Sequence, residues 1–483
     1  MRQQQRGRFG RRALAAIGIT ALAMLGAVTT ASAASAIDEQ TPPTVVGNID
    51  TGQARSLTVH KYEELGSSTP LNPDGSETPS GSALSGVEFT VAQVNGIDLL
   101  NPDDWAILPS LQYTGGTVTD GVNTYTVTSV GTQETVNGST TFAGLGIGVY
   151  LVTEGSDNGG NNIVSKAAPF FVTVPLPHDN AWLYDVHVYP KNAVGSIEKS
   201  VDSSEAVKLG DVVKWTVVAA IPQLAPGESL ESFSVSDTFD SRLGNLGVES
   251  VKINDIDVAY STAGSSGQTL LVTPDIATVN ANQGESVVIV FTTTVEALGN
   301  GVIENEALVH LPGDVSLPSN KPATKWGAVI IEKYDAEGGA GQRLNGAKFA
   351  LYQTQAEAEA ALAGTVGTPV WTGETSGDGT ATIDGLYVGD TTDGQTARDY
   401  YLVETQAPAG YQRHDAVITV NVTPGSIAEA TIVQVANTQV APVQLPLTGS
   451  AGALVLSVAG LALLVAAAGT ALVASRRKQS TTR

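Results

Sequence analysis

The feature that most constrains this chain is a passage written twice. "SLTVHKYEE" (Ser56–Glu64) is followed by "LSGVEFTVAQV" (Leu84–Val94) and then by "GVYLVTE" (Gly148–Glu154). Far downstream, "GAVIIEKYDAEG" (Gly327–Gly338), "LNGAKFALYQT" (Leu344–Thr354) and "YYLVETQAPAGY" (Tyr400–Tyr411) follow in the same order. Each copy has a strand with a central lysine, then L-x-G-(V/A)-x-F-x-(V/L), then a strand ending in Thr-Glu or Glu-Thr. Repetition on this scale means two copies of one domain. Alternating apolar residues with Val, Thr and glycine turns make that domain a β-sandwich. The copies are expected at about 37–192 and 325–439, the second with a short helix at "AEAEAALAG" (Ala356–Gly364).

Between them, 193–322 reads differently: "GSIEKSVD", "DVVKWTVVAAIP", "FSVSDTFD", "VIENEALVHL". Alternation between Gly, Ser, Asp and Asn turns again predicts a sandwich, of another lineage. "PGDVSLPSNKP" (Pro312–Pro322) reads as a linker, and "TQVAPVQ" (Thr438–Gln444) as a stiff stalk. The expected fold class is all-β, with three tandem immunoglobulin-like sandwiches, which 483 residues accommodate.

A net charge of −23 argues against a nucleic-acid partner, which needs a concentrated positive surface. The chain has no cysteine, so if it is exported it lacks the usual extracellular staple, and either needs none or uses another crosslink.

Both ends look like addresses. Residues 1–33 read as a signal peptide: Arg2, Arg6, Arg8, Arg11 and Arg12, then apolar Ala13–Val28, then "ASA" at Ala31–Ala33. A second "ASA" ends at Ala36, leaving the cut open by a few residues. At the other end, Ala451–Ala474 is apolar, uncharged and long enough to span a bilayer, and Arg476, Arg477 and Lys478 follow on the expected inner side. Just before it stands Leu445-Pro446-Leu447-Thr448-Gly449. This order of pentapeptide, apolar span and basic tail resembles the LPxTG sorting signal of Gram-positive surface proteins. That resemblance implies cleavage between Thr448 and Gly449 by a sortase cysteine, which holds Thr448 as a thioester until an amine displaces it.

The stretch "WLYDVHVYPKN" (Trp182–Asn192) predicts a strand with Trp182, Tyr184, Val186 and Val188 on one face, closing on Lys191 and Asn192. It resembles the pilin motif W-x(n)-V-x-V-Y-P-K, and "YYLVETQAPAGY" resembles the E box of the same family. With these motifs the chain resembles, over essentially its whole length, the three-domain backbone pilins that sortases assemble in Gram-positive actinobacteria. The first and third units resemble collagen-adhesin B-type domains, the middle one an A-like domain. The resemblance implies a covalent pilus shaft in which Lys191 attacks the Thr448 thioester of an identical subunit. It also implies a pilin-specific sortase, a housekeeping sortase and peptidoglycan as partners, with minor pilins and host receptors beyond. No cofactor or metal is expected.

The family also implies internal bonds, in which a lysine amine condenses with an asparagine carboxamide and releases ammonia. The lysine must be neutral, so it must sit in an apolar core. A protonated Asp or Glu must polarise the amide and carry protons. The sets assigned are Lys333, Asn437 and acid Glu404 in the third unit, and Lys199, Asn305 and acid Asp237 in the middle one. In the first they are Lys61, Asn192 and acid Glu154, although "GVYLVTEG" lacks the full E box. Tension entering at Lys191 and leaving at Thr448 passes through the middle and third units only. The first bond is therefore expected to be slow, partial or absent.

Enzyme readings fare worse. "SIEK" (Ser196–Lys199) is an S-x-x-K and "SDN" occurs at Ser156–Asn158, but the order is wrong and no K-T-G follows. The five histidines show no zinc spacing. The nearer rivals are a monomeric wall-anchored adhesin and a minor pilin at the base or tip, and the two pilin motifs favour the shaft.

Overall fold

The computed structural model describes residues 48–66, 70–365, 367–441 and 450–479. The expected signal peptide and Leu445–Gly449, including Thr448, lie outside the described residues.

In the first sandwich, one layer has the order Asp185–Val188, Ser56–His60, Ser139–Ala143. The facing layer has the order Phe170–Val174, Gly148–Asp157, Val87–Val94, Val127–Glu134. Alternate residues of each strand point between the layers, so Leu57, Val59, Phe89, Val91, Phe142, Tyr150, Val152 and Val186 form the core. The opening and closing strands lie side by side and parallel, from Ser56 beside Asp185 to Val59 beside Val188.

The third sandwich repeats this plan. Ala323–Asp335 runs parallel to Thr431–Asn437, in register from Val329–Thr431 to Asp335–Asn437. The second layer has the order Trp371–Glu374, Lys348–Tyr352, Arg398–Gln406, Ile418–Val422. The expected helix is Gln355–Leu362, started by a capping box between Thr354 and Glu357, and it covers Ala350, Tyr352 and Val403. In the first sandwich the corresponding face is covered by the insertion that follows Val94, through Ile97, Leu99, Leu108 and Val118.

A shared knot explains the L-x-G motif. Thr135 donates its hydroxyl to the Leu84 carbonyl (2.6 Å) and accepts the Val87 N–H (3.1 Å). Thr375 does the same with Leu344 (3.0 Å) and Ala347 (3.1 Å). Both threonines are buried, so these bonds satisfy groups that water cannot reach.

The middle sandwich packs Ile197–Asp202, Val212–Ala220, Ser286–Val295, Leu243–Ile253 and Ile256–Asp257 against a second sheet, in that order. The second sheet has the order Tyr260–Ser261, Thr269–Pro274, Ser234–Thr238, Ala307–Leu311, Val315–Pro318. Trp215, Phe239 and Phe291 fill the space between, the last two edge-to-face at 5.7 Å.

Two sequence expectations change. The proposed linker Pro312–Pro322 contains the strand Val315–Pro318, paired with Ala307–Leu311. It is the edge of its sheet, where a proline's missing donor costs little. The stretch Trp182–Asn192 is not one strand: it breaks at Tyr184 and again at Tyr189–Pro190, and Lys191 opens the next strand, Lys191–Val194. The three sandwiches fall into two compact units. One reaches Trp326 and includes Tyr387–Thr396; the other is Gly327–Leu386 with the chain from Ala397 on. The first two sandwiches fall in one unit because the step between them is tight. A Cβ on Gly195 would lie 2.8 Å from Leu317 Cδ1 and 2.9 Å from Leu311 Cδ1.

Beyond the sandwiches, Ser450–Gln479 is helical. Among the described residues, no helix is long and apolar enough to cross a membrane; side chains within Ser450–Gln479 are described at 457–471 only.

Candidate functional site

Each sandwich brings one lysine, one acid and one asparagine together in its core, from strands far apart in sequence. In the first, Lys61 follows the opening strand, Glu154 lies on Gly148–Asp157 and Asn192 on Lys191–Val194. Lys61 Nζ donates to Glu154 Oε2 at 2.9 Å and also to Asn192 Oδ1. Asn192 Nδ2 donates to Glu154 Oε1 at 2.5 Å. One carboxyl group thus touches both nitrogens, the amine and the amide. Phe89 floors the site, its ring centre 5.7 Å from Lys61 Nζ.

The middle sandwich repeats this with a shorter acid. Lys199 on Ile197–Asp202 donates to Asp237 Oδ2, and Asn305 Nδ2 donates to Asp237 Oδ1 at 2.9 Å. Trp215 and Phe239 line the lysine, at 5.4 and 5.2 Å from Nζ. All three polar side chains are buried.

The third sandwich differs in one contact. Asn437 Nδ2 donates to Glu404 Oε1 at 2.9 Å, and Glu404 Oε2 accepts the His414 N–H at 2.6 Å. Lys333 Nζ turns to the Val435 carbonyl at 2.9 Å. Asn437 Oδ1 is buried without a partner among the described residues.

Burial sets the protonation. It pushes Lys61, Lys199 and Lys333 down to about 8, against the opposing pull of Glu154, Asp237 and Glu404 respectively. Burial also pushes Asp237 up, with Lys199 and Asn305 resisting. In the middle sandwich, amine and acid are therefore both shifted toward their neutral forms, a nucleophile beside a proton donor.

Sequence reading missed what holds the lysine backbones. Lys61 N–H donates to the Gly138 carbonyl (2.7 Å), and the Lys61 carbonyl accepts Leu84 N–H (3.0 Å). Lys333 is held identically by Gly379 (2.9 Å) and Leu344 (2.9 Å). Both glycines have φ +77°, and a Cβ would meet Ala83 Cβ at 2.7 Å or Arg343 Cβ at 2.6 Å. The signals were "VNGST" and "GDGTA", placed equivalently in the two copies, which read as ordinary turns.

Lys191 stands apart from these sets. It is half-buried, follows Pro190 and lies beside Tyr62 in a parallel ladder, with Asn192 beside Glu63. Its side chain is not part of the buried network that takes in Asn192.

Comparison with known proteins follows this geometry. Residues 52–193 match the Gram-positive pilin subunit D1 N-terminal domain, 327–436 the SpaA prealbumin-like fold domain, and 437–480 the LPXTG cell wall anchor motif. The chain is 33% identical to fimbrial subunit type 2 of Actinomyces naeslundii, with 98% of each chain covered. This chain belongs to the Gram-positive fimbrial subunits. Fimbrial subunit type 1 of Actinomyces viscosus is 29% identical, over 89% of this chain and 92% of its own. The full-length major pilin SpaD of Corynebacterium diphtheriae is 28% identical with a TM-score of 0.63, covering 82% of this fimbrial subunit and 99% of SpaD. The major pilin SpaA of the same organism shares the fold, at a TM-score of 0.51 and 24% identity. As a member of this family, the chain is a subunit of a cell-wall-anchored surface pilus.

Proposed function

We propose that this fimbrial subunit forms the pilus shaft, and that two kinds of amide bond hold the shaft together. Between subunits, Lys191 Nζ attacks the Thr448 thioester of the next copy, forming an amide and releasing the sortase thiol. The membrane segment holds the precursor until cleavage after Thr448, and a housekeeping sortase passes the finished polymer to peptidoglycan.

Within each subunit, the neutral lysine amine attacks the asparagine Cγ. The protonated acid first passes its proton to the carboxamide oxygen, then takes a proton from the attacking amine and delivers it to the departing nitrogen, and recovers its own proton as the carbonyl re-forms. One C–N bond forms, one breaks, and one ammonia leaves. The observation that carries this reading is the single carboxyl bridging both nitrogens in the first and middle sandwiches. An ordinary buried ion pair has no need of an asparagine placed so that its leaving nitrogen shares the acid. In the middle sandwich a cavity of about 340 Å³ lined by Asn305, Ser236, Thr238 and Lys321 gives ammonia an exit. The first-domain set is as closely knit as the others, so ranking its bond last rests on load alone.

Likeness to the full-length major pilin SpaD supports the shaft over a minor position. The test is an immunoblot of wall extracts boiled in SDS, native against Lys191→Ala. A high-mass ladder lost in the variant is expected. A single band from both strains would mean a monomeric anchored protein and overturn the shaft.

A further inference from the structure

The three reactive lysines sit in equivalent settings except at one point. In the first and third sandwiches, both main-chain polar groups of the lysine are held by backbone: Gly138 and Leu84 for Lys61, Gly379 and Leu344 for Lys333. In the middle sandwich Lys199 lies on the edge strand of its sheet, where no further strand follows in the hydrogen-bonded order. A side chain takes over there. Lys199 N–H donates to Asn320 Oδ1 at 2.7 Å, and Asn320 Nδ2 donates to the Lys199 carbonyl at 2.8 Å. One carboxamide reproduces both bonds of an absent neighbouring strand.

The segment Ser319–Pro322, which contains Asn320, also grips the other reactant. Asn305 N–H donates to the Pro322 carbonyl at 3.1 Å. Two residues on, Ala307 N–H donates to Ser319 Oγ at 3.0 Å, and Ser319 N–H donates to the Ala307 carbonyl at 2.9 Å. Ser319 Oγ in turn donates to the Asn320 carbonyl at 2.7 Å, joining the two grips. Lys199 lies on the edge strand of one sheet and Asn305 in the step between Val302–Glu304 and Ala307–Leu311, and the segment 319–322 touches the backbone of both.

We propose that Ser319–Pro322 is a template that sets the distance and angle between Lys199 and Asn305, with Asn320 as its positioning residue. It rests on the internal-bond reading above. Asn320 touches neither the amine nor the carboxamide and carries no proton in the reaction. It fixes the register of the lysine strand, and attack on a carbonyl depends steeply on that placement. On the lysine side the template is a side chain where the other two domains use main chain, so a single substitution can remove that grip without breaking a strand.

The experiment is a time course of freshly synthesised full-length chain, following the Lys199–Asn305 crosslinked peptide by mass spectrometry. Native chain is compared with Asn320→Ala, which removes both bonds, and Asn320→Asp, which keeps the acceptor for Lys199 N–H. Melting is measured for Asn320→Ala in an Asp237→Ala background, where no bond forms. Ile289→Val, a cavity variant in the core of the same domain, serves as a control of comparable melting loss. Crosslinking is expected to slow roughly tenfold in Asn320→Ala, with Asn320→Asp between it and native. The Ile289→Val chain should react at the native rate. Equal rates in native and Asn320→Ala, or equal slowing in Asn320→Ala and Ile289→Val, would overturn the template while leaving the bond intact. Failure to find the crosslinked peptide in native chain would instead overturn the functional reading and the template with it.

Discussion

Glu404→Gln keeps the volume of the third-domain acid but removes its titratable proton. The bond it serves would close a loop of roughly 100 residues between positions 333 and 437, and such a crosslink restricts the unfolded chain by about 4.7 kcal/mol. A second loss adds to this. Glu404 accepts from both Asn437 Nδ2 and His414 N–H. A carboxamide can accept at only one of those ends, which costs about 1–2 kcal/mol. Together these come to about 6 kcal/mol, and a domain of this size melts about 4 °C lower for each. The third-domain transition should therefore fall by about 25 °C in scanning calorimetry. In parallel, intact mass should show the variant heavier by one ammonia, after allowing for the substitution. Native and variant chains that differ only by the substituted atoms would refute the reasoning. So would a melting loss under about 8 °C, which the hydrogen-bond mismatch alone explains.

Other consequences are open to simpler measurements. Lys199 is pushed down to about 8 by burial, so its neutral fraction grows as pH rises toward and through that value; crosslinking followed by mass should accelerate from pH 6 to 8, and a pH-independent rate would exclude the amine as nucleophile. In a bond-free Asn305→Ala chain the folded lysine binds a proton less readily than the unfolded one, so stability should rise between about pH 8 and 10.5, as seen by chemical denaturation. Thr375→Val leaves the Leu344 carbonyl and Ala347 N–H without their buried partner and should destabilise the third sandwich by about 1–3 kcal/mol, read from the denaturation midpoint. Gly138→Ala should both lower the melting temperature and slow the Lys61 bond, because φ +77° and a contact at 2.7 Å force the turn away from Lys61.

Much of this was legible because one domain occurs twice. Lys61 and Lys333, Glu154 and Glu404, and the two L-x-G motifs could be aligned with each other, and residues placed alike in both copies stand out. The middle sandwich offered no such internal control. There, Lys199, Asp237 and Asn305 were assigned from the internal bonds that the family resemblance implies, and the structure brings the three side chains together. What stayed hidden has a common cause. Thr135, Thr375, Gly138 and Gly379 act through main-chain bonds, which leave no periodic pattern in the sequence. Asn320 sits between prolines, and prolines read as a linker although an edge strand tolerates them. The break at Tyr189–Pro190 ends the alternation, but the sequence does not show that the parallel partner changes there from Ser56–His60 to Tyr62–Glu63.

The parallel pairing of first and last strands has a mechanical consequence. In the third sandwich, a pull on the chain draws Ala323–Asp335 toward its N-terminal end and Thr431–Asn437 toward its C-terminal end. Two parallel strands drawn in this way slide along each other, so their register bonds are strained together rather than peeled one after another. Ser56–His60 and Asp185–Val188 pair in the same parallel way, although the path from Lys191 to Thr448 bypasses them. Shear resistance is thus present in the topology of the third sandwich, independent of any side-chain chemistry.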